Sequence, residues 1–149
     1  MKRRTGDRWR KTEDGSWKRE DGAGAELAGM SRYTRGKQGE KAAEEYLSSS
    51  GMKILDRNFR CPLGEVDLVA KDGKTIVFVE VRARQADGIC SPEESITIRK
   101  RRRLTRAALW YLKQRGMFDS AARFDVVAVR WNGEEPDINW IVNAFEPGR

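Results

Sequence analysis

The amino-acid sequence predicts an α/β protein in which one mixed β-sheet is packed between helices. Two segments have the spacing of amphipathic helices, and five segments rich in apolar and β-branched residues have the composition of strands. Their order along the chain is α-β-β-β-α-β-β. With 149 residues, the chain fits a single domain that is large enough to bury a substantial core.

The N-terminal part of the chain is predicted to lie outside that domain. Residues 1–35 form a basic-leaning extension without a sustained helical or strand period, and we expect this extension to be disordered. Residues 36–149 form the domain. Met30 directly precedes the first well-patterned segment. A second interpretation is therefore that residues 1–29 are not part of the native protein.

The first half of the domain has one predicted helix followed by three predicted strands. The helix extends from Gly36 to a stop at Gly51, because small and apolar residues recur there at helical spacing. The strands are predicted at Lys53–Phe59, Glu65–Ala70 and Thr75–Arg82. The Asp72-Gly73 dipeptide between the last two strands is a strong signal for a β-hairpin.

The second half of the domain has one predicted helix and two predicted strands. Ser91 and Pro92 are suited to a helix start, and the helix is predicted from about Thr97 to Arg115, before a stop at Gly116. Its inward stripe is predicted to be Leu104, Ala108, Tyr111 and Leu112. The strands are predicted at Arg123–Arg130 and Ile138–Phe145.

The charge composition restricts the function. The chain has 30 Lys and Arg residues against 23 Asp and Glu, a net charge of +7, a pI near 9.7, and no histidine. The missing histidine excludes Ser-His and Cys-His nucleophile pairs, an imidazole general base and zinc sites of the HExxH type. The excess of positive charge indicates a polyanionic partner, of which nucleic acid is the most common.

Much of the positive charge is concentrated in the second predicted helix, since residues 99–115 contain eight basic residues and no acidic residue. The cations predicted to bind nucleic acid are Arg99, Lys100, Arg101, Arg102, Arg103 and Arg106. Binding should weaken steeply with salt, and the absence of a base-reading motif favours recognition of the DNA backbone or shape. One alternative is a charged helix face that is simply solvated. Another is a helix that binds a membrane surface, which has less support because the apolar side of this helix is Ala-rich and is needed for the core.

Cysteine usage and hydropathy indicate the compartment. Cys61 and Cys90 form neither a CxxC motif nor a disulfide framework, so both are expected to be reduced thiols. The basic N-terminus lacks the apolar core of a signal peptide, and no segment has the length and hydrophobicity of a membrane span. We therefore expect a cytoplasmic protein that does not act at a membrane.

Two predicted strands have an acidic residue at a position where their pattern predicts an apolar one. Glu80 lies within VFVEV, which is nearly as apolar as a strand buried on both faces, and a buried carboxylate requires a cation or a metal as partner. One interpretation is metal ligation. The alternative is a structural ion pair with Arg82 or with an arginine of the basic helix. Asp125, in RFDVV, poses the same question, and we interpret it as structural.

The predicted hairpin brings several carboxylates to one face of the sheet. If Asp72-Gly73 is a two-residue loop, Asp67 is opposite Phe78 and Glu65 is opposite Glu80. Asp67 and Glu80 are then diagonal neighbours that can converge on one hydrated divalent cation. Oxygen ligands without histidine or thiolate favour Mg²⁺ or Mn²⁺ over Zn²⁺. In the alternative interpretation, Asp67 caps a local group.

Four ordered blocks of sequence resemble the YraN family of bacterial proteins. The blocks are GEKAAEEYLSSSGMKILDRNFR, GEVDLVAKDGKTIVFVEVR, KRRRLTRAALWYL and RFDVVAV, and the resemblance covers about Gly36 to Val129. That family looks like a branch of the restriction-endonuclease-like PD-(D/E)xK superfamily, to which archaeal Holliday-junction resolvases are related. The resemblance implies a restriction-endonuclease-like α/β fold, with a mixed central sheet flanked by helices.

The resemblance also implies a set of site residues. Asp67 matches the metal-binding Asp, Glu80 matches the Glu of the ExK half-motif, and Glu40 matches the helical Glu that completes the metal site. Arg82 stands where the superfamily usually has lysine. Lysine can position or polarise the attacking water, whereas arginine stays protonated and is suited to clamp the scissile phosphate. The implied cofactor is Mg²⁺ or Mn²⁺.

Three functions are compatible with these features. The first is a metal-dependent endonuclease acting on DNA, with branched or damaged DNA as candidate substrates. The second is a nucleic-acid-binding module that keeps the nuclease fold and has lost turnover through Arg82. The third is an interaction protein whose basic helix binds an acidic partner. Related resolvases work as dimers, so the resemblance alone implies a homodimer.

Overall fold

A computed structural model describes residues 9–11, 13, 17–19, 30–85, 96–132 and 135–147. Two helices and seven strands lie in these ranges. The helices are α1 (Met30–Ser49) and α2 (Ile98–Gln114). The strands are β1 (Trp9–Lys11), β2 (Trp17–Arg19), β3 (Lys53–Cys61), β4 (Gly64–Asp72), β5 (Thr75–Gln85), β6 (Ala122–Asn132) and β7 (Glu135–Ile141).

Five of the strands form one mixed sheet in the order β3-β4-β5-β6-β7. β5 and β6 are parallel and are connected through α2, while the other neighbours are antiparallel. The predicted α/β class, with a mixed sheet and flanking helices, is confirmed. β1 and β2 form a separate antiparallel pair that the sequence patterns did not predict. Most of the predicted N-terminal extension lies outside the described residues.

The two helices pack on opposite faces of the sheet, because they contact alternating residues of β5. α1 packs on the face that carries Val77 and Val79, and α2 packs on the face that carries Ile76 and Phe78. The α2 cluster includes all four residues of its predicted inward stripe, which are Leu104, Ala108, Tyr111 and Leu112. In the described part of the chain, neither helix is long and apolar enough to cross a membrane.

The helix ends agree with their predicted stops at glycine. The N–H of Met52 donates to the carbonyl of Leu47 after α1, and the N–H of Met117 donates to that of Leu112 after α2. α1 begins at Met30 and is therefore longer than predicted. The N-cap of α2 is Thr97, and the predicted start signal at residues 91–94 lies outside the described residues.

Four of the five predicted strands lie within observed strands, and the last one is displaced. The prediction of a strand at Ile138–Phe145 is wrong at both ends, since β7 is Glu135–Ile141. Asn143 adopts φ of 53° and its N–H donates to Asp125 Oδ1 at 2.9 Å, which turns the chain away from the sheet. Phe145 then stacks on Phe124, with 5.0 Å between ring centroids.

Candidate carboxylate site and adjoining basic face

The β4–β5 hairpin positions the two central carboxylates. Its loop is Gly73-Lys74, because Asp72 pairs with Thr75. The predicted loop at Asp72-Gly73 is therefore wrong, and so is the predicted register. Gly73 has φ of 60°, which suits the first central position of a type II′ turn.

The observed register changes which residues are opposite each other. It differs from the predicted register by two residues, so each side chain keeps its face of the sheet. The last pair of the ladder is Leu68 with Val79. If the observed register is continued by one residue, Asp67 lies opposite Glu80 rather than Phe78. The prediction that Glu65 is opposite Glu80 is wrong. Glu65 pairs with Arg60 of β3, with 3.5 Å between Oε2 and Nε, and its side chain is 64% exposed.

The strands β4 and β5 separate at Asp67. In the alternating pattern of an antiparallel ladder, the next bonded pair after Leu68 and Val79 is Val66 with Val81. Instead, the Val81 N–H donates to Oδ2 of Asp67 at 2.8 Å. β5 continues as far as Gln85 alongside β6. We call this opening, formed by Val66, Asp67 and Val81, the strand fork.

Asp67 is partly buried in acidic surroundings. Burial is the main cause that raises the pKa of this carboxyl to about 8, and the negative charge of Glu80 is the next. The charges of Glu40 and Glu65 raise the pKa further, whereas the hydrogen bond from Val81 lowers it. Carboxylates from α1, β4 and β5 therefore interact with Asp67 at the strand fork.

Glu80 is buried beside two cations. Its side chain is only 7% exposed, and its Oε1 lies 2.6 Å from Lys100 Nζ and 3.9 Å from Arg82 Nε. An ion pair was one of the two interpretations of Glu80 from the sequence. It is present in the structure, and the nearer partner is a lysine of α2 rather than an arginine.

α1 reaches the strand fork by a close contact at Gly39. A Cβ atom at this position would lie 2.8 Å from the Cβ of Ala83, so glycine allows the helix to approach β5. Glu40 follows directly in the sequence, and its side chain is 21% exposed. Its Oε2 lies 3.6 Å from Nζ of Lys37. The close packing at Gly39 therefore brings Glu40 to the same end of the sheet as Asp67.

The donor set fits a divalent cation in its chemistry. Glu40, Asp67 and Glu80 offer carboxylate oxygens, which Mg²⁺ and Mn²⁺ prefer, and a cation would relieve the repulsion around Asp67. The present side-chain geometry is not a coordination sphere. Within the described ranges, no group of three or more Asp, Glu or Cys side chains is arranged to hold a metal ion. Lys100 and Arg82 supply the positive charge at Glu80.

The predicted nucleic-acid-binding residues of α2 divide into two groups. Four of them recur at i, i+3, i+4 and i+7, are exposed, and form what we call the basic face: Arg99, Arg102, Arg103 and Arg106. The other two have neighbours within the protein. The guanidinium of Arg101 lies over the ring of Phe145, 5.4 Å from its centroid, and Lys100 contacts Glu80.

Sequence reasoning missed the position of Lys100. Lys100, Leu104, Ala108 and Tyr111 recur at i, i+4, i+8 and i+11, so they lie on one side of α2. Lys100 therefore extends the inward stripe by one turn and does not belong to the basic face. This spacing was the available signal, and the high density of cations in the segment concealed it.

Asp125 has a structural role, which confirms its interpretation from the sequence. The residue is fully buried and accepts hydrogen bonds from three residues. The donors are Nε and Nη2 of Arg123 at 3.0 and 3.2 Å, Nε1 of Trp140 at 2.9 Å and the backbone N–H of Asn143 at 2.9 Å. These bonds tie β6 to β7 and to the segment after it.

Comparison with other proteins identifies the family. Residues 39–129, which include the strand fork and the basic face, match the uncharacterised protein family UPF0102. A UPF0102 protein of Desulfosudis oleivorans is 50% identical over 115 residues, which cover 77% of this chain and 92% of the relative. One of Moorella thermoacetica is 51% identical over 106 residues, covering 71% and 88%. One of Caldicellulosiruptor saccharolyticus is 47% identical over 118 residues, covering 78% and 100%. The chain therefore belongs to the UPF0102 family, and the family resemblance seen in its sequence is confirmed.

Proposed function

We propose that this protein is a metal-dependent endonuclease that acts on DNA, with Glu40, Asp67 and Glu80 as ligands of Mg²⁺ or Mn²⁺. One observation carries the proposal. The carboxylates of Asp67 and Glu80 interact electrostatically at the strand fork, and Glu80 contacts Lys100 in the first turn of the most cationic helix. Metal-dependent hydrolysis of a phosphodiester uses both features, which are ligands for a cation and positive charge that binds the phosphates. The resemblance to restriction-endonuclease-like proteins supports the same reaction.

The residues of the site have distinct roles in this reaction. Hydrolysis joins a water oxygen to phosphorus and breaks one phosphorus–oxygen ester bond, which leaves a phosphate monoester and a hydroxyl group. A divalent cation, when bound, would supply the Lewis acidity that makes water a stronger nucleophile near neutral pH. Arg82, partly buried next to Glu80, would stabilise negative charge that develops on the phosphate. The basic face would hold the DNA backbone.

The proposal can be tested with purified protein and three DNA substrates. Supercoiled, flapped and four-way-junction DNA are each incubated with Mg²⁺, Mn²⁺ or EDTA. We expect cleavage that requires the metal and is lost in Glu80→Gln, which keeps the shape of the side chain. Glu45→Gln, an exposed residue of α1, is the matched control. Intact DNA in all three cases, with either metal present, would contradict a nuclease function.

A second candidate function is binding of nucleic acid without cleavage. The ion pair between Glu80 and Lys100 favours it, because a carboxylate that is already neutralised by an ammonium group has less need of a metal. Arg82 in the position of the usual lysine points in the same direction. This function predicts tight, salt-sensitive DNA binding in EDTA and intact DNA in every cleavage assay.

A further inference from the structure

Lys100 differs from the cations of the basic face in the position of its side chain. Its Nζ lies 2.6 Å from Oε1 of Glu80, while 39% of the side chain remains exposed. One turn further along α2, Leu104 is 3% exposed and belongs to the core. Packing of α2 on the sheet therefore holds Lys100 at the boundary between the core and the solvent, at the strand fork.

The position of Lys100 in the helix is unfavourable for a cation. The Lys100 N–H donates to the hydroxyl of the N-cap Thr97 at 3.1 Å, so the residue lies in the first turn. The first turn of a helix is the positive end of its dipole and favours acidic side chains, and α2 has none there. Glu80 compensates from the neighbouring strand. The pairing of these two residues is thus a tertiary contact that helix propensity does not explain.

We propose that Lys100 supplies the ammonium group of the nuclease site and contacts the scissile phosphate. The inference rests on the proposed function. Arg82 and Lys100 approach the same oxygen of Glu80, one from β5 and the other from α2. The chain therefore has an ammonium group at this carboxylate although its ExK-like position carries arginine.

The chemistry of an ammonium group suits this role. It has three N–H donors that point in different directions, so one can donate to Glu80 while another donates to a phosphate oxygen. The guanidinium of Arg82 is planar and permanently charged, and its donors lie in a fixed fork. The exposed fraction of Lys100 leaves room for a ligand, whereas Glu80 is buried and keeps the amine in place.

The contact can be tested independently of cleavage. Lysine amines are acetylated with and without four-way-junction DNA, in EDTA so that the DNA stays intact, and modification is quantified at each lysine by mass spectrometry. We expect DNA to protect Lys100 at least fivefold. Lys74 is exposed in the hairpin loop, roughly 20 Å from Glu80 along β5, and should be acetylated equally in both samples. Equal acetylation of Lys100 with and without DNA would overturn the inference.

The catalytic part of the inference requires a kinetic measurement. Lys100→Met removes the charge and keeps most of the volume, and Lys74→Met is its matched control. We expect single-turnover cleavage by Lys100→Met to be at least 100-fold slower, with DNA affinity within about threefold of the wild type, since several other cations bind the phosphates. A merely structural ion pair predicts a lower melting temperature with a cleavage rate within threefold of the wild type, and that result would overturn the inference.

A second variant covers the case in which Lys100→Met folds poorly. Lys100→Arg keeps a positive charge beside Glu80 and should preserve stability, yet it should cleave at least tenfold more slowly because the ammonium group is lost. A wild-type rate in Lys100→Arg would contradict the inference. If the wild type cleaves DNA while Lys100 is not protected, only this inference fails. If DNA protects Lys100 and the wild type cleaves nothing, the nuclease function fails and the contact to DNA stands.

Discussion

Asp67→Asn is expected to stabilise the metal-free protein. Asparagine has the shape of a protonated carboxyl group and keeps an oxygen that accepts the hydrogen bond of the Val81 N–H. Burial and the charge of Glu80 raise the pKa of Asp67 from 3.8 to about 8 in the folded protein. At neutral pH, folding therefore requires Asp67 to take up a proton, and the substitution removes this requirement.

The size of the effect follows from the two pKa values. Between pH 3.8 and about 8, the folded state binds a proton that the unfolded state has released. The contribution of protonated Asp67 to stability is complete below pH 3.8 and is lost as the pH rises through this window. Each pH unit corresponds to about 1.4 kcal/mol, so the penalty that Asp67→Asn relieves reaches up to about 4 kcal/mol at pH 7.

Urea unfolding in EDTA at pH 5, 6 and 7 measures this prediction. The free energy of unfolding of Asp67→Asn, minus that of the wild type, should increase by about 1.4 kcal/mol per pH unit. Asp119→Asn, which changes an exposed carboxylate, controls for the loss of one negative charge. Repeating the measurement with Mg²⁺ or Mn²⁺ should stabilise the wild type and leave Asp67→Asn unchanged, because asparagine lacks the charge of the ligand.

Two results would refute parts of this reasoning. A variant that is less stable than the wild type at pH 7, or a difference that is constant from pH 5 to 7, would show that the surroundings of Asp67 do not disfavour its charge. If the difference in free energy of unfolding rises with pH but the metal has no effect on either protein, the acidic surroundings of Asp67 are supported. Asp67 is then not one of the metal ligands.

Four further predictions concern separate parts of the molecule. Asp125→Ala should lower the free energy of unfolding by about 3–5 kcal/mol, because it leaves buried donors without an acceptor; a loss below 1 kcal/mol in urea unfolding would contradict this. Gly39→Ala should destabilise by about 1–3 kcal/mol through its contact with β5, and unchanged stability would show that α1 lies further away. Arg102→Ala should reduce the slope of log affinity for DNA against log salt by about 0.9, measured by fluorescence anisotropy; an unchanged slope would remove it from the DNA contacts. Arg82→Lys should change the cleavage rate less than threefold, whereas a tenfold increase would indicate that the site lacks a lysine.

The inner strands β5 and β6 were predictable because their central residues are buried. β5 has five consecutive buried residues, Ile76–Glu80, and β6 has four, Phe124–Val127, so their apolar runs reflect contacts on both faces. β7 is an edge strand without a fully buried residue among those whose exposure is described, and its sequence carries a weaker pattern. Its end depends on Asn143 and Asp125, which are distant in sequence, and no local pattern records that contact.

The register of the hairpin was harder to predict than its existence. Asp72-Gly73 and Gly73-Lys74 both place glycine at a central position of a two-residue turn, so local turn chemistry allows either loop. The observed loop is Gly73-Lys74, and its register pairs Val69 with Phe78, two buried side chains on the α2 face. A shift by two residues preserves the face of every side chain, which is why the shared face of Asp67 and Glu80 was predictable although their alignment was not.

The contact between Lys100 and Glu80 is the part of the candidate site that could not be predicted from the sequence. Helical spacing is sufficient to place Lys100 on the inward stripe of α2, but it does not say which strand residue the lysine meets. That depends on the position of α2 along the sheet, which a close contact at Gly64 helps to determine, since a Cβ there would lie 3.0 Å from the carbonyl oxygen of Arg103. A larger residue at Gly64 would displace the helix, and the separation of Lys100 from Glu80 would change with it. The identity of the cation at Glu80 is therefore a property of the packing between α2 and the start of β4 as much as of the ExK-like motif.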